Sequence, residues 1–503
     1  MATRAEILRN SAGNFLGGAL PALVTLVTLP IVLSHLGAWQ YGIFTLVMAI
    51  VGYFALMDIN VTAGSVKFLA EFNAQGQEQE SCEVVTLGVY LYSAIGLAGG
   101  IAIVVAAPWL ARDVFVIDET HQAMAITALR IAGVAFFFSQ LQSYLQSIPQ
   151  GLGRYDISGR YEALFGTVVP VLTAVVAVSG GQLVEVVVFR TIASIVNVIL
   201  LWLMLRRLLP AFNWQRPHPT LYKKVLGFSG FAYLKRVANV TADQADKLII
   251  GALINMQSLT FYAIPATLIG RVFALINRLG AVMFPASSAL AAQGDLGRLN
   301  RIYLVATRYT IFLNGAISIL LMVTGHTVLQ LWVGKSIADQ SAGILALLAA
   351  SLFLESLTNL PTQITDGLGH PKVTGAFAVS RGLLGAALSF ILVSRMGILG
   401  AAIAHFILSV VMTTSFLIYA HRHTVPVPLM TVVRQSLVPS LLHLSWVGAL
   451  GWVIQYYLLP GVLGGLVAGV VMAALLTLVI YRFILRPQER ASIRQRLNMG
   501  VRS

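Results

Sequence analysis

The sequence predicts an all-α polytopic membrane protein with about fourteen transmembrane helices, in two parallel-related lobes of about six helices each plus two C-terminal helices. Composition is the first reason. The 503 residues are 57% hydrophobic and 10% charged, with a mean hydropathy of +0.82, and a soluble fold could not cover so much apolar surface. The second is that apolar runs of about 20 residues, enough for a helix to cross ~30 Å of hydrocarbon, recur along the chain. The third is an internal repeat: Ala74-Gln75-Gly76 returns as Ala292-Gln293-Gly294, and Gly151-Leu152-Gly153 returns as Gly367-Leu368-Gly369.

The apolar runs define the individual elements. They predict membrane spans at residues 10–34, 42–66, 84–108, 124–148, 159–179, 183–206, 225–254, 258–288, 303–325, 341–366, 373–394, 397–420, 437–458 and 462–485. The two motif pairs are offset by 218 and 216 residues, so the spans divide into two copies of one bundle. An even number of spans per copy returns the chain to the same side, which predicts parallel copies.

The repeat also predicts the domain boundaries. Residues 1–208 form the N-terminal six-helix lobe, 209–222 a cytoplasmic linker, 223–421 the C-terminal six-helix lobe, and 422–503 two additional transmembrane helices with a basic cytoplasmic tail. Prolines and charges between residues 206 and 219 predict that the linker is polar and contains no buried element.

The distribution of Lys and Arg predicts the orientation. The net charge is +14, and most cations fall in loops or span ends on one side of the membrane, Arg308 among them, whereas Arg112, Lys335 and Arg395 fall on the other. The positive-inside rule therefore places both termini in the cytoplasm of a multi-pass inner-membrane protein. This explanation of the basicity makes a nucleic-acid partner unnecessary.

Several classes of chemistry find no support in the sequence. Cys82 is the one cysteine, so an intramolecular disulfide is excluded, and Gly334-Lys335-Ser336 lacks the earlier glycine of a phosphate-binding loop. The external loops near 109–122 and 326–340 are too short for a catalytic domain. His421 and His423 are assigned to the basic inner face. We therefore expect no enzymatic activity and no cofactor.

Charged residues within the spans are the candidate functional residues, because an unpaired charge at membrane depth costs at least a few kcal/mol. Basic residues outnumber acidic ones there. The basic residues are Arg130, Arg190, Lys235, Arg236, Lys247, Arg271, Arg278 and Arg381, and the acidic ones are Asp58, Asp243, Asp246 and Glu355. This excess favours an anionic cargo.

The seventh and eighth spans concentrate these charges. Arg236, Asp243 and Lys247 share one helix face, and Lys235 and Asp246 belong to a second stripe about 100° away. Asp243 and Lys247, at i and i+4, can either line a cavity or neutralise each other.

The eighth span carries two arginines on one face, Arg271 and Arg278. We predict that Lys235, Arg236, Arg271 and Arg278 form the cationic substrate site. For Asp58, ion coupling and helix packing both stay open, and Glu355 and Arg381 are predicted to form an ion pair.

Several segments together resemble bacterial polysaccharide transporters, the flippases of O-antigen and exopolysaccharide repeat units. The matching segments are Leu36-Gly37-Ala38-Trp39-Gln40-Tyr41-Gly42-Ile43-Phe44, Asp246-Lys247-Leu248-Ile249-Ile250-Gly251, Phe261-Tyr262-Ala263-Ile264, Phe284-Pro285-Ala286, Gly294-Asp295, Asp366-Gly367-Leu368-Gly369-His370-Pro371-Lys372 and Gly397-Ile398-Leu399-Gly400-Ala401-Ala402. This family belongs to the multidrug/oligosaccharidyl-lipid/polysaccharide exporter (MOP) superfamily, with lipid II flippases and multidrug-and-toxin-extrusion (MATE) transporters.

The resemblance implies two lobes around a central cavity that opens alternately to either side, and an undecaprenyl-diphosphate-linked oligosaccharide as cargo. It implies no cofactor; proton or sodium coupling stays open, as does a partnership with the polysaccharide polymerase machinery. Relatives that handle lipid II carry a basic residue in the first helix, whereas residues 10–34 contain no charge here. This difference argues against lipid II as cargo.

Two other functions stand beside the flippase. A cation-coupled MATE-type drug exporter would have acidic cavity walls, contrary to the cation excess. A membrane enzyme of polysaccharide assembly would need a long loop with clustered acids or histidines, which the sequence lacks.

Overall fold

A computed structural model describes residues 4–57, 61–210, 212–280, 283–485 and 490, with the backbone alone at 4–18, 219–220, 222–232, 234–235, 273, 275–280 and 285. Every regular element among them is helical, which confirms the predicted all-α class. The α-helices are α1 (Arg4–Phe54), α2 (Val61–Ala74), α3 (Glu78–Trp109), α4 (Glu119–Gly151), α5 (Tyr155–Val178), α6 (Leu183–Leu208), α7 (Pro219–Leu253), α8 (Met256–Gly280), α9 (Met283–Ala292), α10 (Leu296–Val333), α11 (Lys335–Gly367), α12 (Pro371–Met396), α13 (Ile398–His423), α14 (Leu429–Val432), α15 (Val438–Val453) and α16 (Val462–Val479). Short turns extend some of them: a 3₁₀ turn at Ala55–Met57 and π-helical turns at Leu110–Val114, Val433–Leu437, Ile454–Leu458 and Ile480–Ile484.

Most of the long helices have the length and composition of membrane spans. Within the described residues, 11 helices are long and apolar enough to cross a bilayer. One of these stretches, Ala19–Met57, contains a break at Gly37 (φ 72, ψ 168), which separates two of the predicted spans. Helices α7 and α8, with 35 and 25 residues, have sufficient length but are not among the 11. The protein is therefore a multi-pass membrane protein. The sequence predicts about fourteen spans and not 11 because it divides Ala19–Met57 into two spans and counts α7 and α8 as one span each.

The chain forms two compact units. The first comprises residues 1–263 and 378–401, and the second comprises 264–377 and 402–503. These ranges follow contacts in space, whereas the predicted lobes at 1–208 and 223–421 follow the sequence repeat. The lobe boundaries stay a prediction.

The core of the first unit lies among α2, α3, α4 and α6. Tyr144 is fully buried there, and its hydroxyl donates to the Val84 carbonyl at 3.0 Å. The ring occupies the space beside Gly88, where an added Cβ would lie 1.8 Å from Tyr144 Cζ. Close packing of a large aromatic residue on a glycine fixes the register of α3 against α4.

The linker departs from its predicted character at one residue. Phe212 is only 1% exposed and packs against the core of the first unit. Its ring meets Trp202 edge-on at 5.8 Å and Trp214 at 5.5 Å, and Trp214 in turn stacks on Tyr90 at 5.6 Å. The prediction of a linker without a buried element is therefore wrong at Phe212, because one aromatic ring among polar neighbours has found an apolar niche.

Polar contacts reinforce this attachment. The Arg206 guanidinium lies over the rings of Trp202 and Phe212, at 5.6 and 5.4 Å, and donates from Nη1 to the Phe212 carbonyl at 3.1 Å. The backbone N–H of Gln215 donates to Thr86, and that of His218 donates to Glu83. We call residues 212–218 with these partners the linker clamp.

The repeated motifs have one structural task, which is to end a helix. In each motif the last glycine has a left-handed backbone: φ is 69° at Gly76, 71° at Gly153, 71° at Gly294 and 89° at Gly369. In all four, the N–H after that glycine bonds a carbonyl five residues back; Arg154, for example, bonds the Pro149 carbonyl at 2.7 Å. This Schellman geometry favours glycine, since a Cβ is strained at positive φ.

The repeat also preserves a packing contact within each unit. In the first unit, an added Cβ on Gly151 would lie 2.9 Å from the Leu69 side chain. In the second, an added Cβ on Gly367 would lie 2.0 Å from Ser287 Oγ, and Ser288 donates to the Gly367 carbonyl at 2.9 Å. Leu69 and Ser287 are themselves 218 positions apart, so the same close helix approach occurs twice.

Among the described residues of the second unit, one hydrophobic cluster lies around α10, α11 and α13 and another around α10, α15 and α16. His421 joins α13 to α10 in the first cluster. Its Nδ1 lies 2.7 Å from the Val427 carbonyl and its Nε2 lies 3.0 Å from the Tyr303 hydroxyl. A carbonyl only accepts, so Nδ1 carries the proton and the neutral ring accepts from Tyr303 at Nε2. His421 is buried in this contact, and its assignment to the basic inner face stays a prediction.

Candidate functional site

Asp246, on α7, accepts hydrogen bonds at both of its carboxylate oxygens. Its Oδ1 accepts from the Ser389 hydroxyl of α12 and its Oδ2 accepts from the Tyr262 hydroxyl of α8, each at 2.5 Å. Both carboxylate oxygens are thus held by short hydrogen bonds from two other helices. A carboxylate held by hydroxyls can exchange a proton or bind a small cation through its remaining lone pairs.

The neighbouring turn of α7 contains Lys247, whose Nζ donates to Gln244 Oε1 at 3.1 Å. Gln244 packs on α1, where an added Cβ on Gly52 would lie 3.4 Å from its Cδ. Asp243, predicted to line a cavity or to neutralise Lys247, is exposed. This part of α7 is therefore a polar surface supported by α1.

The predicted cationic residues divide between the units. Arg236 is half-buried on α7 in the first unit, and Arg271 is exposed on α8 in the second. The side chains of Lys235 and Arg278 lie outside the described part of the structure, as does the whole of Asp58. Convergence of the four cations on one ligand stays a prediction.

The segment Leu36–Phe44 shapes the junction between α1 and α8. After the break at Gly37, the Ala38 carbonyl accepts from Thr260 Oγ1 at 2.6 Å. Gly42 lies so close to α8 that an added Cβ would be 1.9 Å from the Met256 carbonyl oxygen. The small residues of this motif are required for close backbone approach.

Arg190, on α6, contacts the same segment. Its guanidinium lies over the Phe44 ring at 5.5 Å, and Gln40 accepts from the Leu183 N–H at the start of α6 at 3.0 Å. A cation over an aromatic face is partly compensated for the loss of water. The sequence identified Arg190 as an intramembrane cation but gave no signal for its aromatic partner.

Glu355, on α11 of the second unit, has partners that the sequence did not suggest. Its Oε1 lies 2.9 Å from His405 Nε2 and accepts from the Ser409 hydroxyl at 2.7 Å; both partners are on α13. The side chains of Glu355 and His405 are 16% and 29% exposed. The predicted Glu355–Arg381 pair stays a prediction, and the observed site is a carboxylate–imidazole pair that can hold a proton.

No group of three or more His, Cys, Asp or Glu residues in the described part of the chain could hold a metal ion.

Known proteins share this sequence pattern and fold. The profile of the family described as "Polysaccharide biosynthesis protein" matches residues 36–342. A Shigella flexneri protein named "Putative O-antigen transporter" is 22% identical over 402 residues, covering 79% of this chain and 94% of that protein.

Two solved structures share the fold. The lipid II flippase MurJ, in an inward closed conformation, has a TM-score of 0.70 at 14% identity, covering 95% of this chain and 100% of MurJ. An inward-facing multidrug resistance MATE family transporter of the MOP superfamily has a TM-score of 0.67 at 15% identity, covering 81% of this chain and 95% of that one. The chain therefore belongs to the polysaccharide biosynthesis protein family, and it is a multi-pass membrane protein with the fold of these MOP-superfamily transporters.

Proposed function

We propose that the protein translocates undecaprenyl-diphosphate-linked oligosaccharide repeat units from the inner to the outer leaflet of the bacterial cytoplasmic membrane. The glycan is destined for O-antigen, capsule or exopolysaccharide. The sugar headgroup and diphosphate enter a cavity open to the cytoplasm while the polyprenyl tail stays in lipid. Alternating access then exposes the headgroup to the outside, with both termini remaining cytoplasmic.

The observation that carries this proposal is the cation excess inside the membrane of a chain from this family. A diphosphate loses its hydration on entering a region of low dielectric constant, at a cost of at least several kcal/mol. Arginine and lysine offset this cost with charge-assisted hydrogen bonds, each worth about 1.5–3 kcal/mol. We assign this role to Lys235, Arg236, Arg271 and Arg278.

The two carboxylate sites are the proposed coupling sites. Asp246 accepts from Tyr262 and Ser389, and Glu355 is paired with His405. Binding of a proton or sodium ion at either site would change the charge of the helix bundle. An ion gradient could thereby bias the return of the empty transporter.

The test is export of surface glycan in strains that lack their own flippase, each complemented with this protein and one of a panel of glycan gene clusters. In a strain that is rescued, Arg271→Gln should reduce export by about ten- to a hundredfold, from the loss of one charge-assisted contact. Arg271→Lys should restore part of it, because lysine retains the charge but lacks the bidentate fork. Arg395→Gln is the matched control, because Arg395 is also exposed but lies in the last turn of α12, outside the proposed cationic site.

A MATE-type drug exporter is the second candidate, favoured by the fold similarity to MATE transporters. It predicts drug resistance on overexpression and no rescue by any glycan cluster. Failure of every cluster at normal membrane abundance, or full export by Arg271→Gln, would refute the assignment of a diphosphate cargo to these cations.

A further inference from the structure

Helices α10 and α15 pack face to face within the second unit, and two glycines fix their register. An added Cβ on Gly315 would lie 2.3 Å from Leu444 Cδ1, and one on Gly448 would lie 2.7 Å from Ile319 Cγ1. Each α10 residue in these contacts faces the α15 residue 129 positions later, so the two helices run in the same direction.

Arg308 lies on this same face of α10, because it precedes Gly315 by seven residues and Ile319 by eleven. The register places it beside the π-helical turn Val433–Leu437, one turn before Ser440. The Arg308 cation is therefore directed into the interface between α10 and α15, which is lined by apolar residues in the turns that follow.

The guanidinium of Arg308 is only partly compensated there. Its Nε and Nη2 are buried and have no hydrogen-bond partner among the described residues, and its Cζ lies 5.3 Å from the Tyr309 ring centre. Burying unpaired donors of a charged group costs several kcal/mol, and native structures rarely retain such a group without a function.

The facing helix has an unsatisfied group one turn beyond the level of Arg308. Ser440 is fully buried, and its Oγ also has no partner in the described part of the chain. Ser436, one turn earlier on the same face, is 1% exposed. Two fixed donors of different helices therefore line one interface, and a group that accepts from both would satisfy them together.

We propose that Arg308 and Ser440 form a phosphate site for the diphosphate of the polyprenyl lipid carrier, separate from the cations of α7 and α8. Phosphate oxygens accept from a guanidinium fork and from a hydroxyl at once, as no backbone carbonyl can. This inference rests on the proposed function for the identity of the lipid.

The lipid character of the ligand follows from the adjacent surface of α15. Leu441, beside Ser440 on the helix, is 39% exposed, and Val438 and Leu442, on the side of α15 away from Ser440, are 44% and 66% exposed; exposed apolar side chains of a membrane helix contact lipid chains. Arg434 is exposed on the turn next to Ser440. A lipid with its chain along α15 could present a phosphate to Arg308 without leaving the bilayer.

The experiment measures binding of undecaprenyl diphosphate to the full-length purified protein in nanodiscs, by native mass spectrometry. Compared with wild type, Arg308→Met should weaken binding at least about tenfold, Ser440→Ala less, and Arg308→Lys should retain an intermediate affinity. Arg434→Met, which removes an exposed arginine six residues before Ser440, should bind as wild type does. Gel filtration and helix content verify that each variant is folded. If Arg308→Met does not fold, the affinity of Arg308→Lys is compared with that of wild type.

Undecaprenol and phosphatidylglycerol are the ligand controls. Undecaprenol, which lacks phosphate, should bind weakly to every variant alike. Equal affinity of wild type and Arg308→Met for undecaprenyl diphosphate would overturn the proposal, and so would efficient competition by phosphatidylglycerol, which would make the site one for bilayer lipid. Binding is measured without transport, so a failure to export glycan tests the proposed function and not this site.

Discussion

The linker clamp makes a prediction that can be measured amide by amide. Phe212→Ala removes a ring that is 1% exposed and touches Trp202 and Trp214. Truncating a buried phenylalanine costs about 3–5 kcal/mol, and the lower end suits a site at the edge of the molecule, where neighbours can relax. Loss of the Arg206 cation over this ring adds to that cost.

The reporters are two backbone N–H groups beyond the ring. Gln215 donates to Thr86 Oγ1 at 3.4 Å, and His218 donates to Glu83 Oε2 at 3.2 Å. Both amides can exchange with solvent when residues 212–218 detach from the first unit. If the free energy of detachment falls by about 3 kcal/mol, exchange of these amides should accelerate by about a hundredfold.

Hydrogen–deuterium exchange of linker peptides in the detergent-purified protein, followed by mass spectrometry, measures this change. Phe212→Leu should give a much smaller acceleration because it retains most of the apolar volume. Trp109→Ala removes an aromatic residue that is 59% exposed and should leave the linker peptides unchanged. Equal exchange in wild type and Phe212→Ala would refute the claim that this ring holds the linker.

Three further outcomes follow from single contacts. Gly367→Ala should lower the thermal midpoint of unfolding more than Gly151→Ala does. The new Cβ at position 367 would lie within 2.9 Å of a backbone oxygen, which cannot move aside, whereas the Cβ at position 151 would meet a leucine methyl, which can. A reversed order of the two midpoints would contradict the duplicated packing. His421→Leu should destabilise the protein by about 2 kcal/mol by leaving the buried Tyr303 hydroxyl without its acceptor, measured by denaturation and checked against Tyr303→Phe, which in the double variant should recover part of the loss. Glu355→Gln should make export insensitive to a proton gradient if this residue couples transport, and an unchanged response to a protonophore would assign it to packing alone.

The sequence was sufficient for the features that depend on composition and backbone conformation. Apolar length predicts the helices regardless of how they pack. The repeated glycines predict matched helix ends because positive φ is a local property: Gly153 and Gly369 adopt it in equivalent turns. Gly180 and Gly397, 217 positions apart, also both have positive φ. They belong to no repeated sequence motif, because their neighbouring residues differ.

Side-chain partners were harder to predict because they depend on which helices are neighbours. Nothing in the sequence points to His405 and Ser409, 50 and 54 positions later, as contacts of Glu355, while the predicted pair with Arg381 stays a prediction. Hydroxyl partners such as Ser409 leave no trace in hydropathy. Phe212 was missed for the opposite reason, since a single apolar residue in a polar segment does not alter the average that predicts a linker.

The repeat separates the scaffold of this transporter from its chemistry. Shifting by 217 positions, the offset of the Gly180–Gly397 pair, aligns Arg236 with Ala19 and Arg271 with Phe54. The helix ends and close contacts are thus present in both copies, while these cations occur only in the second.

The acidic residues of the two candidate coupling sites also have no charged counterpart in the first copy. The same shift aligns Asp246 with Leu29 and Glu355 with Phe138. Duplicated glycines give each copy the same helix-ending geometry. On the proposed function, the residues assigned to the cargo phosphate and to the coupling ion therefore all lie in the second copy of the repeat.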